Sequence, residues 1–221
     1  MTQLPAAPQR TFSASIELMS YGPEQVGRKR IERYIALRYA RRHDACINHF
    51  SPWLLAIASK GQPHAALGIC PAAQQPLFLE RYLNTPVEQC LAAQFRQPVA
   101  RDGIVEIGNL AASDSTARRL LFAALVTVLA RAGQQWLVCT ATARVRCLIQ
   151  AMGLPLHTLA TADADRLGED RARWGRYYSD HPQVVAGDIA VGLAAIHARA
   201  ELRDALSGLQ PALGQVAVKL R

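Results

Sequence analysis

The sequence is poor in acidic and aromatic residues. Asp and Glu total 17 against 25 Lys and Arg, leaving a formal charge of +8, and aromatics make up 6%. Such a surplus favours an acidic partner. Nucleic acid is not expected, because there is no recognition motif and no basic stripe interleaved with stacking aromatics. Long apolar runs are also missing. The longest, "LLFAALVTVLA" from Leu120 to Ala130, is closed by Arg119 and Arg131 and falls short of the roughly 20 residues a span requires. The first twenty residues contain no continuous apolar core. A cytoplasmic protein without integral membrane contact is expected. Five scattered cysteines form no CxxC, which argues against a disulfide framework or a zinc site. They read as small buried residues or, for Cys139 and Cys147 near the candidate site below, as a catalytic thiol. The six histidines make no HxxxH pattern, so no metal is expected. Neither a G-x-S-x-G elbow nor a Ser-His-Asp arrangement stands out, and no internal repeat is visible.

Half of the 221 residues are hydrophobic, enough for one large core. The expected layout is an N-terminal segment 1–14, a folded domain 15–190, and a C-terminal helix with a loose tail, 191–221. "SIELM" reads as a first strand. The helix after Gly27 has Ile31, Ile35 and Leu37 on its apolar side. "WLLAIAS" and "HAALGIC" around "KGQ" read as an antiparallel hairpin. "PLFLERYLNTPVEQCLAAQF" breaks into two helical pieces at Thr85-Pro86. A strand at Ile104–Ala112, a helix from about Thr116 to Ala132, a strand at Gln135–Thr142, a helix closed by Gly153 and a strand at Leu156–Ala162 follow. Without tight hairpins this second half implies parallel or crossover pairing. The fold class is α/β (α+β), with a mixed sheet. "QVVAGDI" reads as a last strand and "AVGLAAIHARAELRDALSGL" as one helix, with Pro211 and Gly214 loosening the final dozen residues.

Two segments carry chemistry. "GRKRIERYIALRYARRH", Gly27 to His43, spreads basic residues around most of a helical wheel. It is either a solvated face or a docking surface for an acidic carrier protein or phosphates. In "IVEIGNLAASDSTARRLLF", strict alternation puts Ile104, Glu106, Gly108 and Leu110 on one face, and Val105, Ile107, Asn109 and Ala111 on the other. A carboxylate between Val105 and Ile107 is costly to bury unless paired. Glu106 is therefore either a base of raised pKa or half of an ion pair with Arg144 or Arg146. Gly108 either leaves backbone room for a substrate or simply relieves packing. Ser113, Asp114, Ser115 and Thr116 are all suitable N-caps.

Four blocks in order, "FLERYLNTPVEQ", "IVEIGNLA", "WLVCTAT" and "WGRYYSDHP", resemble the thermostable hemolysin family. It is similar to a branch of the N-acetyltransferase (GNAT) fold related to acyl-homoserine lactone synthases. The resemblance spans roughly Ser15 to Ile189. Its name points to lysis, by a membrane-active or lipid-binding protein; its fold implies an acyltransferase acting from acyl-CoA or an acyl carrier protein on the amine of a small molecule such as an amino acid. The apolar Leu120–Ala130 helix favours the enzyme, since a helix apolar nearly all round is a buried one.

The resemblance also implies a site. A donor thioester would lie where strands 104–112 and 135–142 splay, against Leu110, Ala112 and Thr140, with no tightly bound cofactor. Glu106 would be the general base, and Asn109 would either bond acceptor or pantetheine or be a satisfied buried amide. The turn "ASDSTARR" departs from the glycine-rich phosphate loop of that fold. Ser115 and the helix-end residues Thr116, Ala117, Arg118 and Arg119 would have to hold a phosphate, which suits the single phosphate of acyl-phosphopantetheine. Tyr177, Tyr178 or Cys147 is the candidate general acid; Cys147 is also a candidate donor contact, and the tyrosines are alternatively packing residues. Apart from the resemblance, Trp174 and Tyr178 are candidates to line an acyl or acceptor pocket beside Gly108, since aromatics supply contact area with few rotors.

Overall fold

The computed structural model describes residues 16–220; the segment 1–14 assigned above lies outside the described residues. A seven-stranded sheet runs β1-β2-β3-β4-β5-β7-β6. The strands are β1 Ile16–Tyr21, β2 Trp53–Ser59, β3 Gln62–Pro71, β4 Ile104–Ala112, β5 Trp136–Ala141, β6 His157–Thr161 and β7 Gln183–Asp188. The first four are antiparallel, and β4–β5 is the parallel pair. This is the mixed sheet expected, with one change. β6 does not pair with β5: β7 lies between them, antiparallel to both.

On one face, α1 (Arg28–His43) packs across β2, β3 and β4. Its buried stripe is Ile31, Ile35 and Tyr39, at i, i+4 and i+8. Leu37, expected on that stripe, is exposed, because two residues from Ile35 is about 200° around the helix. The same face carries a short turn at Phe78–Tyr82 and α2 (Val87–Phe95). The opposite face is covered by α3 (Ser115–Arg131) and α4 (Ala143–Ala151). Leu120 to Leu129 of α3 are all buried, and no helix among the described residues is long and apolar enough to cross a membrane.

The C-terminus differs from expectation. The single helix is two, α5 (Ile189–His197) and α6 (Ala200–Ser207), and the loose tail is a third, α7 (Gln210–Lys219), with Pro211 in its first turn. Leu202, Leu206, Leu213 and Val216 join the core around α3. α3 is apolar on every side, and these helices cover the side turned away from the sheet.

Two local features shape the site. Pairing of β4 with β5 stops at Ile107–Cys139, so the strands part from Gly108 onward. Asn109 also has φ 51°, and the β3–β4 register slips between Ala66 and Gly68. This is a bulge, with asparagine in the left-handed region it tolerates. The extra residue reverses the expected alternation. Leu110 and Ala112 pack toward α3, and Ala111 toward α1. Gly68 makes the bulge possible, because a Cβ there would lie 2.4 Å from Ser51 Oγ and 2.7 Å from Asn109 Oδ1.

Candidate active site

A cavity of about 570 Å³ occupies the gap where β4 and β5 part. Its walls come from both faces of the sheet: Phe78, Tyr82 and Trp174 on the α1 side, Phe122, Val145 and Ile149 on the α3 and α4 side. It therefore runs through the sheet.

Glu106 lines this cavity and is 6% exposed. It pairs with neither Arg144 nor Arg146; Arg146 donates to the Ala141 carbonyl. Its carboxylate accepts instead from the backbone amides of Phe78 at 2.7 Å and Leu79 at 3.1 Å. Burial pushes its pKa up to about 7, the two amides oppose the rise, and the nearby Glu80 charge adds to it. A carboxyl group so placed is a competent proton acceptor near neutrality.

The turn that carries those amides is itself clamped. Glu80 accepts from the Leu77 and Val87 amides and from Arg101 through both carboxylate oxygens, at 2.7 and 2.8 Å. Arg101 also bonds Glu88 at 2.7 Å and the Ala72 carbonyl at 3.0 Å. Chiefly through the Arg101 guanidinium, the Glu80 pKa falls to about 2. Fork-to-fork pairing of this kind fixes geometry as well as charge. Glu80 and Arg101 were not singled out in the sequence. For Glu80 the signal was a charged pair, Glu80 and Arg81, inside the apolar "LFLERYL", an anomaly like the one that exposed Glu106; Arg101 had none.

Gly108, Asn109, Leu110, Thr140, Trp174, Tyr177 and Tyr178 also line the cavity. The Asn109 amide is engaged: Oδ1 accepts from the Ser51 amide and hydroxyl, and Nδ2 donates to the His49 carbonyl. Tyr177 donates to the Thr140 carbonyl at 3.0 Å, and the hydroxyls of Tyr178 and Tyr82 are bonded to each other. Burial raises both Tyr177 and Tyr178, the latter to about 12, so both keep their protons at neutral pH. The "WGRYY" loop is pinned to the end of α1 by the Cys46 amide on Arg173 O and the Arg176 amide on His43 O. Gly175 has φ 51°, and a Cβ there would stand 2.3 Å from the carbonyl oxygens of His43 and Asp44, so glycine is required.

Cys147 is exposed and lies off the cavity wall. Cys139 lines the wall, but burial pushes its thiol up to about 12, the opposite of activation. No cluster of three or more metal-ligating residues occurs among the described residues.

A mouth of about 480 Å³ adjoins the cavity and shares Tyr39, His43, Leu110, Thr142 and Val145 with it. Ala112, Ser115 and Arg118 line it, joined by Arg38, Arg41 and Arg42 of α1 and Arg144 of α4. Two of the helix-end amides are already engaged within the protein. Asp114 caps α3, accepting from the Ala117 amide at 2.8 Å, and the Thr116 amide also bonds it. Arg119 turns away, 3.8 Å from Glu201 on α6. Positive charge at this mouth therefore comes from side chains. Arg118 illustrates the crowding: burial lowers its pKa first, and Arg144, Arg38 and Arg42 lower it further. The basic helix α1 divides likewise. Arg28 is buried, donating to the Ser51 and Pro52 carbonyls, whereas Arg38, Arg41 and Arg42 border the mouth.

Solved structures of similar fold cover nearly their whole length with this chain. The AHL synthase LasI aligns with TM-score 0.56 at 14% identity, over 89% of this chain and 96% of its own. BjaI, a CoA-dependent acyl-homoserine lactone synthase solved with SAM and isopentyl-CoA, gives 0.54 at 14%, over 94% and 99%. FeeM, an N-acyl amino acid synthase from uncultured soil microbes, gives 0.53 at 11%, over 80% and 90%. At these identities the likeness establishes the fold. No curated protein matches. The model of the thermostable hemolysin family matches residues 21–193, from the end of β1 into α5. With the sheet, the splayed pair and most of the chain inside that match, this protein belongs to the thermostable hemolysin family.

Proposed function

We propose that the protein transfers an acyl group from a thioester to the amine of a small molecule, acting in the cytoplasm. The observation that carries this reading is Glu106: a buried carboxyl group, held by two amides, facing a cavity that passes through the gap between two parallel strands. Glu106 takes one proton from the acceptor ammonium. The freed nitrogen attacks the thioester carbonyl carbon, forming a C–N bond. As the tetrahedral intermediate collapses, the C–S bond breaks and the thiolate leaves with the electron pair. The second proton on nitrogen passes to that sulfur, with the cavity-lining Tyr178 as its relay. Glu106 returns its proton to solvent. Direct attack is favoured over an acyl-enzyme, because among the described residues the thiols lining the cavity, Cys70 and Cys139, are pushed up by burial rather than activated.

The apolar branch lined by Phe122, Val145 and Ile149 suits the acyl chain. The arginine mouth suits the phosphate of its phosphopantetheine arm, on coenzyme A or on an acyl carrier protein. Carrier proteins are acidic, and a +8 chain attracts them. The solved neighbours named for acyl-homoserine lactone and N-acyl amino acid synthesis are consistent with this chemistry. The test is thiol release from acyl-CoA and acyl carrier protein donors of varied chain length, with a pool of amines. Release that requires an amine and is lost in Glu106→Gln supports the reading. No amine-dependent release from any donor sinks it.

A further inference from the structure

A third depression, of about 300 Å³, adjoins the same cavity and shares His49, Phe78, Arg81 and Trp174 with it. It has no lining residue in common with the arginine mouth beside α3, so the cavity has two separate approaches. In this one, two guanidiniums converge on a single carboxylate. Arg81 lies 2.9 Å and Arg173 3.6 Å from Asp170, and Arg173 also donates to Asn48 Oδ1 at 3.1 Å. One positive charge is left over, and both arginines are about half exposed. The Arg81 guanidinium stands 4.9 Å over the Phe78 ring, and the Phe78 amide is the one 2.7 Å from Glu106. Anchor and base are thus separated by a single aromatic residue.

We propose that this approach admits the acceptor, that Arg81 and Arg173 hold the acceptor's carboxylate, and that the acceptor is a free amino acid. The proposal rests on the acyl-transfer reading above. A zwitterion matches the charges at both ends, its ammonium toward Glu106 and its carboxylate toward the guanidiniums. Guanidinium forks are suited to carboxylates in two-point contact. The walls of Ile47, Phe78 and Trp174 suit an apolar side chain. Asp170 then occupies the arginines when no acceptor is present, as an internal competitor.

That competition gives opposite signs for two variants. Kinetics would be measured with an amino acid, its carboxamide and the decarboxylated amine. The wild type should prefer the acid by about 10-fold or more in kcat/KM, as loss of a charge-assisted pair implies. Arg81→Gln should raise KM for the acid about tenfold and change KM for the carboxamide far less. Asp170→Asn should lower KM for the acid. Equal use of acid and decarboxylated amine by the wild type, or Arg81→Gln and Asp170→Asn moving KM the same way, overturns the carboxylate site while leaving acyl transfer standing. If no amine is acylated at all, the acyl-transfer reading has failed instead. Calorimetry with free amino acids and no thioester then decides the site alone: binding weakened by Arg81→Gln and strengthened by Asp170→Asn supports it, and no binding overturns it.

Discussion

The backbone amide of Phe78 donates to the Glu106 carboxylate at 2.7 Å, across 28 residues of sequence. That contact joins a turn on one face of the sheet to the middle of its fourth strand. It makes burial of the carboxylate tolerable without neutralising it by an arginine, so the group keeps a proton affinity suited to exchange. The same turn is gripped by Glu80 and Arg101.

If Glu106 is the base, Glu106→Gln should lower turnover by roughly 10²–10⁴-fold with little change in donor binding. In the wild type, kcat/KM should rise with pH as Glu106 ionises, with a midpoint near 7, where burial sets its pKa. Near-wild-type turnover by the variant, or a flat profile between pH 5 and 8, would remove Glu106 from the mechanism.

The same group makes a stability prediction that needs no substrate. Its pKa rises from an ordinary 4.5 to about 7 on folding, so within that window the native state holds a proton the unfolded chain has released. Stability should therefore fall as pH rises from about 4.5 to about 7 and change no further above it, by at most about 3.5 kcal/mol at about 1.4 kcal/mol per pH unit. Denaturant titrations of wild type and Glu106→Gln should diverge across this range, the variant gaining relative to the wild type. Parallel curves would show that the carboxyl group ionises normally.

Arg101 is a positioning residue, acting through Glu80 on the turn that holds Glu106. Arg101→Met should loosen the Phe78 and Leu79 amides, which hold the Glu106 pKa down, and so move the midpoint of the kcat/KM profile to higher pH. Arg101→Lys should restore part of the shift, since it keeps the charge and loses the two-point contact. A lower Tm with an unmoved pH profile would mean that the network serves stability only.

At the arginine mouth, a combined Arg118→Gln and Arg144→Gln variant should raise KM for the donor and flatten its salt dependence. A carrier-protein donor should have the higher kcat/KM at low salt, with the advantage shrinking as salt rises. Equal use of both donors at every ionic strength would count against carrier docking.

The family's name raises lysis directly. The apolar stretch Leu120–Ala130 covers only about 16 Å as a helix, at about 1.5 Å per residue, against a bilayer core of about 30 Å. All but Ala130 of that stretch is already buried against the sheet and the C-terminal helices. Purified protein without any thioester should cause no leakage from liposomes. Dose-dependent leakage, undiminished in Glu106→Gln, would put a membrane-active mechanism ahead of the enzyme.

Periodicity in the sequence was sufficient for β2, β3, β4, α3, β5 and α4, because each has a local apolar pattern bounded by its own turn or glycine. Glu106 was legible for the same reason, as a charge where the strand's pattern demands an apolar residue. What holds Glu106 was not legible, since main-chain amides carry no sequence signature and Phe78 and Leu79 reach it only after the sheet has formed. The bulge at Asn109 was hidden too: it answers to the close approach of Gly68 and Ser51 on other segments, and it reverses the facing of Leu110 and Ala111. The C-terminal helices have weak local signals and are ordered by the outer side of α3, an apolar surface that exists only once that helix has packed. Likewise the arginine mouth gathers α1, α3 and α4 from distant parts of the chain. Local pattern decided where the elements and the odd carboxylate fall, whereas long-range packing decided which groups meet that carboxylate and how substrates approach it.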